Sequence, residues 1–210
     1  YHWLPYFDSF NIESLNEISK IGIPIAFNGV IFCIVYVFIT NAIARFGTAP
    51  IAALGIGHRV ESLAYCISLG FSIAATTLVG QSIGENNRKK AIDTAYMITY
   101  YATGVLVVIS ILILIFKESI AGIFSSDPEV IKAASGYLTA IGYTEMFLAI
   151  EIVMKGVFSG LGNTLPPTII GLPLNLLRVP MAYILANLYG IEGVWWTIGI
   201  TTALKGFFLF

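Results

Sequence analysis

Three stretches of this chain contain no Asp, Glu, Lys or Arg: residues 21–44, 62–84 and 94–116. A bilayer's hydrocarbon core is about 30 Å thick and takes roughly 20 apolar residues to cross as a helix. Each stretch is long enough on its own. Three more segments, 131–159, 166–188 and 193–210, are apolar with isolated charges. Six helices with short loops account for nearly the whole chain. A membrane β-barrel would alternate apolar and polar residues over strands of about ten residues, and no segment does so. The expected fold class is an all-α integral membrane protein with six transmembrane helices.

Composition excludes the soluble alternatives. Only 11% of the residues are charged and 57% are hydrophobic, with a net charge of −1. Soluble domains carry about 25% charged residues. Mean hydropathy is +0.85. A disordered chain, a nucleic-acid binder and an ordinary cytosolic enzyme are all poor fits. Cys33 and Cys66 sit in apolar runs and are read as small packing residues. Two histidines, His2 and His58, are too few for a confident metal site, and no HExxH, GxSxG or P-loop string occurs. No enzyme activity, resident cofactor or metal is expected.

The connectors carry turn chemistry. Asp127 or Ser126 can cap the helix that Pro128 opens, and Gly160-Leu-Gly-Asn-Thr-Leu-Pro-Pro167 ends one helix and starts the next. Residues 1–15 read as a cytoplasmic linker and 16–210 as the membrane region, with the first helix starting between Ser14 and Lys20. Six crossings put Lys20, Arg88, Lys89 and Lys90 on one side and Arg45, Lys117 and Lys132 on the other. Positive loops face the cytoplasm, so the Arg88–Lys90 cluster is placed there in a multi-pass cell membrane protein, with a prokaryotic inner membrane as the expected location. The first residue is Tyr and the last helix stops without a terminating signal, so the chain reads as a fragment of a longer protein.

Function in such a chain is sought where polar groups recur at helical spacing. In the second helix His58, Glu61, Tyr65, Ser68, Ser72 and Thr76 are three or four residues apart and share a face. In the fourth, Tyr137, Thr144, Glu151 and Lys155 are separated by seven, seven and four residues and again share one face. In the fifth, Thr168, Gly171, Asn175, Arg178 and Tyr189 fall on one face. A charge at a helix centre costs about 2.5–3.5 kcal/mol on the insertion scale, so such stripes usually face a cavity or a partner. Candidate substrate- or ion-binding residues are therefore Glu61, Tyr65, Glu145, Glu151, Lys155, Asn175 and Arg178.

Bland alternatives stand beside these. Glu151 and Lys155 are i,i+4 and can pair with each other. Glu61 can pair with His58 or Arg59 near the membrane edge. Glu145 lies about 120° round the helix from Glu151 and can face either the cavity or another helix. Arg178 needs a partner, and Glu151 or Glu145 is expected to supply it. Asn28 and Asn41 suit interhelical hydrogen bonds. Gly156 and Gly160 form a small-xxx-small pattern that lets helices approach closely. Pro173 and Pro180 lie inside the fifth helix and permit kinks.

Several strings together resemble the multidrug and toxic compound extrusion (MATE) transporters. They are Ile51-Ala-Ala-Leu-Gly55, Leu78-Val-Gly-Gln-Ser-Ile-Gly84 before the basic loop Arg88-Lys-Lys90, Ser125-Ser-Asp-Pro-Glu129, the run from Glu151 to Pro167 with its Gly-Leu-Gly-Asn-Thr junction, and Arg178-Val-Pro180. Their order is similar to that of the family's second half, over residues 16–210. The resemblance implies one lobe of a twelve-helix protein whose two six-helix lobes are related by a pseudo-two-fold axis along the membrane normal. It implies exchange of inward Na⁺ or H⁺ for outward organic cations. The partners it implies are the other lobe, small organic cations and lipid, with no nucleic acid.

Departures from the family pattern leave the coupling ion open. A sodium-coupled subfamily carries a carboxylate in the first helix of this lobe, where residues 21–44 have none. Its Asp in the fourth helix matches Leu148, and Glu151 lies one turn further along. The expected function is cation-coupled multidrug efflux. The alternative is a lipid-linked oligosaccharide flippase of the same architecture, whose cavity would carry more cationic than acidic side chains.

Overall fold

The computed structural model describes residues 12–210. Six helices follow one another: α1 (Ile12–Ala44), α2 (Thr48–Gly84), α3 (Arg88–Phe124), α4 (Pro128–Gly160), α5 (Leu165–Tyr189) and α6 (Ile191–Leu209). No strand occurs among the described residues. Five helices contain spans long and apolar enough to cross a membrane, and α6 adds a sixth helix of 19 residues. Residues 1–11 of the expected linker lie outside the described residues, and 12–15 already belong to α1.

The helix ends follow their capping chemistry. The Asn87 side chain accepts from the backbone N–H of Lys90 at 3.0 Å, and Asp127 accepts from that of Glu129 at 2.9 Å. Pro128 then occupies the first turn of α4, where its missing N–H costs nothing. The turn from α2 to α3 needs a left-handed residue, and Asn86 supplies it at φ 57°. The second and third helices are much longer than their charge-free cores: α3 extends past its core at both ends, whereas α2 extends only at its start, from Thr48 to Glu61, and ends with its charge-free run at Gly84. α5 runs through Pro173 and Pro180 without losing its helical assignment.

α4 is the central element. It packs against α2, α3 and α6, and 67% of its membrane window is buried, against 22–33% in the other four spans. α2 and α4 run parallel. Ser72 meets Ile152 and Gly156, and Thr76 meets Gly156 and Gly160. This contact is made by small residues, as the Gly156/Gly160 pattern predicts. A Cβ on Gly156 would collide with the Ser72 carbonyl, and one on Gly160 would lie 2.6 Å from that of Thr76. Two hydroxyls then bridge the helices: Ser72 Oγ donates to the Ile152 carbonyl and Thr76 Oγ1 to that of Gly156, both at 2.9 Å.

The aromatic core sits nearby, with Tyr137 and Trp195 edge-to-face at 5.0 Å between ring centroids. Most large side chains on the outer faces are exposed, among them Ile73, Ile115 and Ile169, as a lipid-facing lobe requires. Cys33 and Cys66 are free and exposed, so they are not the interior packing residues expected from their apolar surroundings. α1 is tied chiefly to α5. Asn175 Nδ2 donates to Asn28 Oδ1 at 3.3 Å, and Tyr183 donates to Asn41 Oδ1 at 3.4 Å, the interhelical roles expected of both asparagines.

Candidate functional site

A cavity of about 610 Å³ opens between α1 and α5 on one side and α2, α4 and α6 on the other. Every helix but α3 contributes to its wall. Long helices bring their polar stripes here because an amphipathic span in a membrane turns its polar face inward. Six of the seven candidate residues line it: Glu61, Tyr65, Glu151, Lys155, Asn175 and Arg178.

Glu145 does not line the cavity. It is buried in the helix packing, and its Oε1 has no hydrogen-bond partner among the described residues. Of the wider stripes, Ser68 and Thr144 turn their hydroxyls back to their own helices, donating to the Ala64 and Ala140 carbonyls. Tyr189 lies exposed at the end of α5. The stripes are thus longer than the cavity they serve.

Two carboxylates face the cavity in different states of compensation. Glu151 is 3% exposed and carries two lysines. Lys155 Nζ donates to its Oε1 at 2.6 Å, and Lys205 Nζ lies 2.9 Å from Oε2. Glu61 has no basic partner among the described residues. Tyr137 donates its hydroxyl to Glu61 Oε2 at 3.0 Å, and Oε1 receives no hydrogen bond from a described residue. The expected pairing of Glu61 with His58 or Arg59 is replaced by this phenol. His58 instead stacks edge-on against Tyr36, at 4.9 Å between centroids, with its Nε2 buried and unpartnered.

Arg178 corrects another expectation. It is 1% exposed, yet no carboxylate reaches it. Its Nε donates to Thr201 Oγ1 at 2.7 Å, and Nη2 donates to Thr202 Oγ1 at 3.0 Å and to the Ile198 carbonyl at 3.3 Å. The Tyr36 ring covers it at 5.8 Å. The physical reason is competition: Glu151 already serves two lysines, and α6 presents the guanidinium with a ready set of acceptors.

Lys205 and Thr202 belong to the site and were not among the candidates. A signal was present. Thr197, Thr201 and Lys205 are spaced four apart on α6, the same periodicity that marks the other stripes. Its position close to the chain end concealed it. No group of three or more His, Cys, Asp or Glu side chains suited to a metal occurs among the described residues.

Similar proteins share this arrangement of helices. The MatE family model matches residues 24–184. A probable multidrug resistance protein NorM from Thermotoga maritima is 32% identical over 186 residues, covering 87% of this chain and 40% of that protein. The multidrug export protein MepA of Staphylococcus haemolyticus is 24% identical over 207 residues, covering 95% and 45%. The crystal structure of the Vibrio cholerae MATE transporter VcmN in its bent form superposes with a TM-score of 0.88 at 22% identity, over 96% of this chain and 47% of that one. A MOP superfamily transporter from Pyrococcus furiosus, described as having a binding pocket of reverse polarity that suggests a different function, superposes with a TM-score of 0.85 at 15% identity, over 92% and 43%. The chain therefore spans less than half the length of the relatives it matches.

Proposed function

The chain belongs to the MatE family, and from that premise we propose that it forms one six-helix lobe of a secondary active multidrug efflux transporter. The complete protein exports organic cations in exchange for Na⁺ or H⁺ by alternating access, with the other lobe closing the cavity from the opposite side. The observation that carries this reading is Glu61, a cavity carboxylate with no basic partner among the described residues and one oxygen free of hydrogen bonds.

The chemistry follows from that free oxygen. A carboxylate in a low-dielectric cavity gains strongly from any cation that reaches it. An organic cation and a coupling ion compete for one charge, so occupancy by one excludes the other. Exclusive occupancy at a site that opens alternately to the two sides yields exchange. Tyr137 holds the carboxylate in place, and Tyr65 and Phe32 offer aromatic surface to the body of a substrate. Glu151, with both oxygens against lysines, acts as their counter-ion in this scheme.

The test is flux in proteoliposomes containing the complete gene product. A fluorescent organic cation should leave under an imposed pH or Na⁺ gradient and not without one. Glu61→Gln should lower that efflux at least about tenfold, the loss of one charge-assisted contact, while inserted protein stays constant. Full activity in Glu61→Gln would remove the carboxylate from the mechanism. A second reading is favoured by one feature: the wall carries Lys155, Arg178 and Lys205 against Glu61 and Glu151. A cationic excess suits the phosphates of a lipid-linked oligosaccharide. Absence of efflux under both gradients, with insertion verified, would favour that flippase.

A further inference from the structure

A second cavity shares no wall residue with the first. It is a groove of about 460 Å³ where the ends of α2 and α4 meet the start of α3, the helix that stays out of the central cavity. On α4 the two lie back to back: Lys155 and Ser159 face the central cavity, and Val157 and Leu161, about 200° round the helix from them, line the groove. The groove's floor is apolar and buried at Val79 and Val157, and its rims at Ile83, Ile92 and Leu161 are exposed. Its mouth is polar, formed by Asn86 of the turn and Arg88 at the start of α3. Along α3 it runs from Arg88 to Ala95, about 10 Å at the helical rise. It therefore crosses from the basic loop into the charge-free runs 62–84 and 94–116, the level at which headgroups give way to hydrocarbon.

The mouth carries charge that the described residues leave unmet. Lys90 is held by Glu85 at 2.8 Å. Arg88 is exposed and has no carboxylate within salt-bridge distance among the described residues. Asp93, four positions after Lys89, sits near the face of Lys89 rather than that of Arg88. A guanidinium at headgroup level, with an apolar slot running inward from it, matches an amphiphile with an anionic head. A soluble anion would use the arginine and leave the slot empty. A zwitterionic lipid would fill the slot but bring its own cation to the arginine. Only an anionic lipid satisfies both parts.

We propose that this groove seats one anionic phospholipid from the leaflet beside the Arg88–Lys90 loop, its phosphate accepting from the Arg88 guanidinium and one acyl chain lying between Ile83, Ile92 and Leu161. On the positive-inside rule that leaflet is the cytoplasmic one. The seated chain joins the ends of α2, α3 and α4, three helices that otherwise meet there across a void. Because Lys155 and Ser159 face the central cavity from the opposite side of α4, the lipid braces one wall of that cavity without entering it. The seat is independent of what the central cavity carries.

The experiment counts phospholipid bound to the purified, delipidated complete gene product by native mass spectrometry, titrated with dioleoyl phosphatidylglycerol or dioleoyl phosphatidylcholine. Phosphatidylglycerol should bind at least about fivefold tighter, the worth of one basic side chain at an anionic surface. Arg88→Gln should erase that preference. Lys89→Gln, the same change of charge on the neighbouring face, should keep most of it. Ala95→Leu fills the slot and should weaken phosphatidylglycerol binding with the basic loop intact. A phosphatidylglycerol carrying a diazirine on its acyl chain should label peptides that contain Ile83, Ile92 or Leu161 in the unaltered protein, and glycerol 3-phosphate should not compete. Equal binding of the two lipids, equal losses in Arg88→Gln and Lys89→Gln, undiminished binding in Ala95→Leu, or labelling confined to other segments each overturns the seat. Displacement by glycerol 3-phosphate overturns it too, by reducing the site to one for a free phosphate.

Discussion

At Glu151 and Lys205 the difference between a paired and an orphaned charge decides what a substitution does. Both are almost fully buried, and Glu151 is the carboxylate that compensates Lys205. Removing one partner of a buried pair costs about 3–5 kcal/mol, whereas replacing both by apolar groups is often neutral. Glu151→Gln should therefore lower the thermal midpoint of the purified protein markedly. Adding Lys205→Met should recover most of the loss, because Lys155 is exposed enough to hydrate its own charge. Recovery is read by thermal denaturation in detergent; a double variant no more stable than the single one would show that Lys205 is not the group left stranded. Glu61, which has only a phenol to lose, should tolerate Gln with little change in the same assay.

The helices illustrate how much depends on a few small residues. α2 and α4 approach until the Gly156 and Gly160 backbones touch the Ser72 and Thr76 carbonyls. In lipid there is no hydrophobic drive between apolar helices, so close packing and interhelical hydrogen bonds hold them. Gly156→Leu should separate the pair and cost about 1–3 kcal/mol from overpacking, together with the two hydroxyl bridges. Ser72→Ala removes one bridge and should cost only about 0.6 kcal/mol. Denaturation curves of the two variants should thus differ several-fold in their shift; similar shifts would mean the glycine contact is not where the packing energy lies. The stripes of α2 and α4 carry Glu61 and Glu151 into the cavity, so the Leu variant should also weaken ligand binding.

The whole lobe presents an open cavity and a large exposed apolar surface. α1 holds to the rest mainly through α5, with few contacts to α2 and α6. Alternating access requires a second wall that moves relative to this one. Residues 12–210 reconstituted alone should give no gradient-driven flux, and the complete gene product should give it. Flux from the lobe alone at the rate of the complete protein would overturn the two-lobe scheme.

Membrane class, helix number and the inward stripes were legible in the sequence. Each depends on local facts: a charge-free run of sufficient length, or a polar residue recurring every three or four positions. Charge cost in lipid then leaves the stripes little choice but to face one another, and so six of the seven candidates line the cavity. Partner choice was decided only by the tertiary structure. Glu145 differs from Glu151 by a rotation about one helix, and which neighbour fills that side is not written in α4. Arg178 took hydroxyls from α6 because Lys155 and Lys205 had already claimed Glu151. A hydrogen-bonding or ionic partner is set by distances of a few ångströms between helices far apart in the chain, and those distances exist only once all the helices have packed.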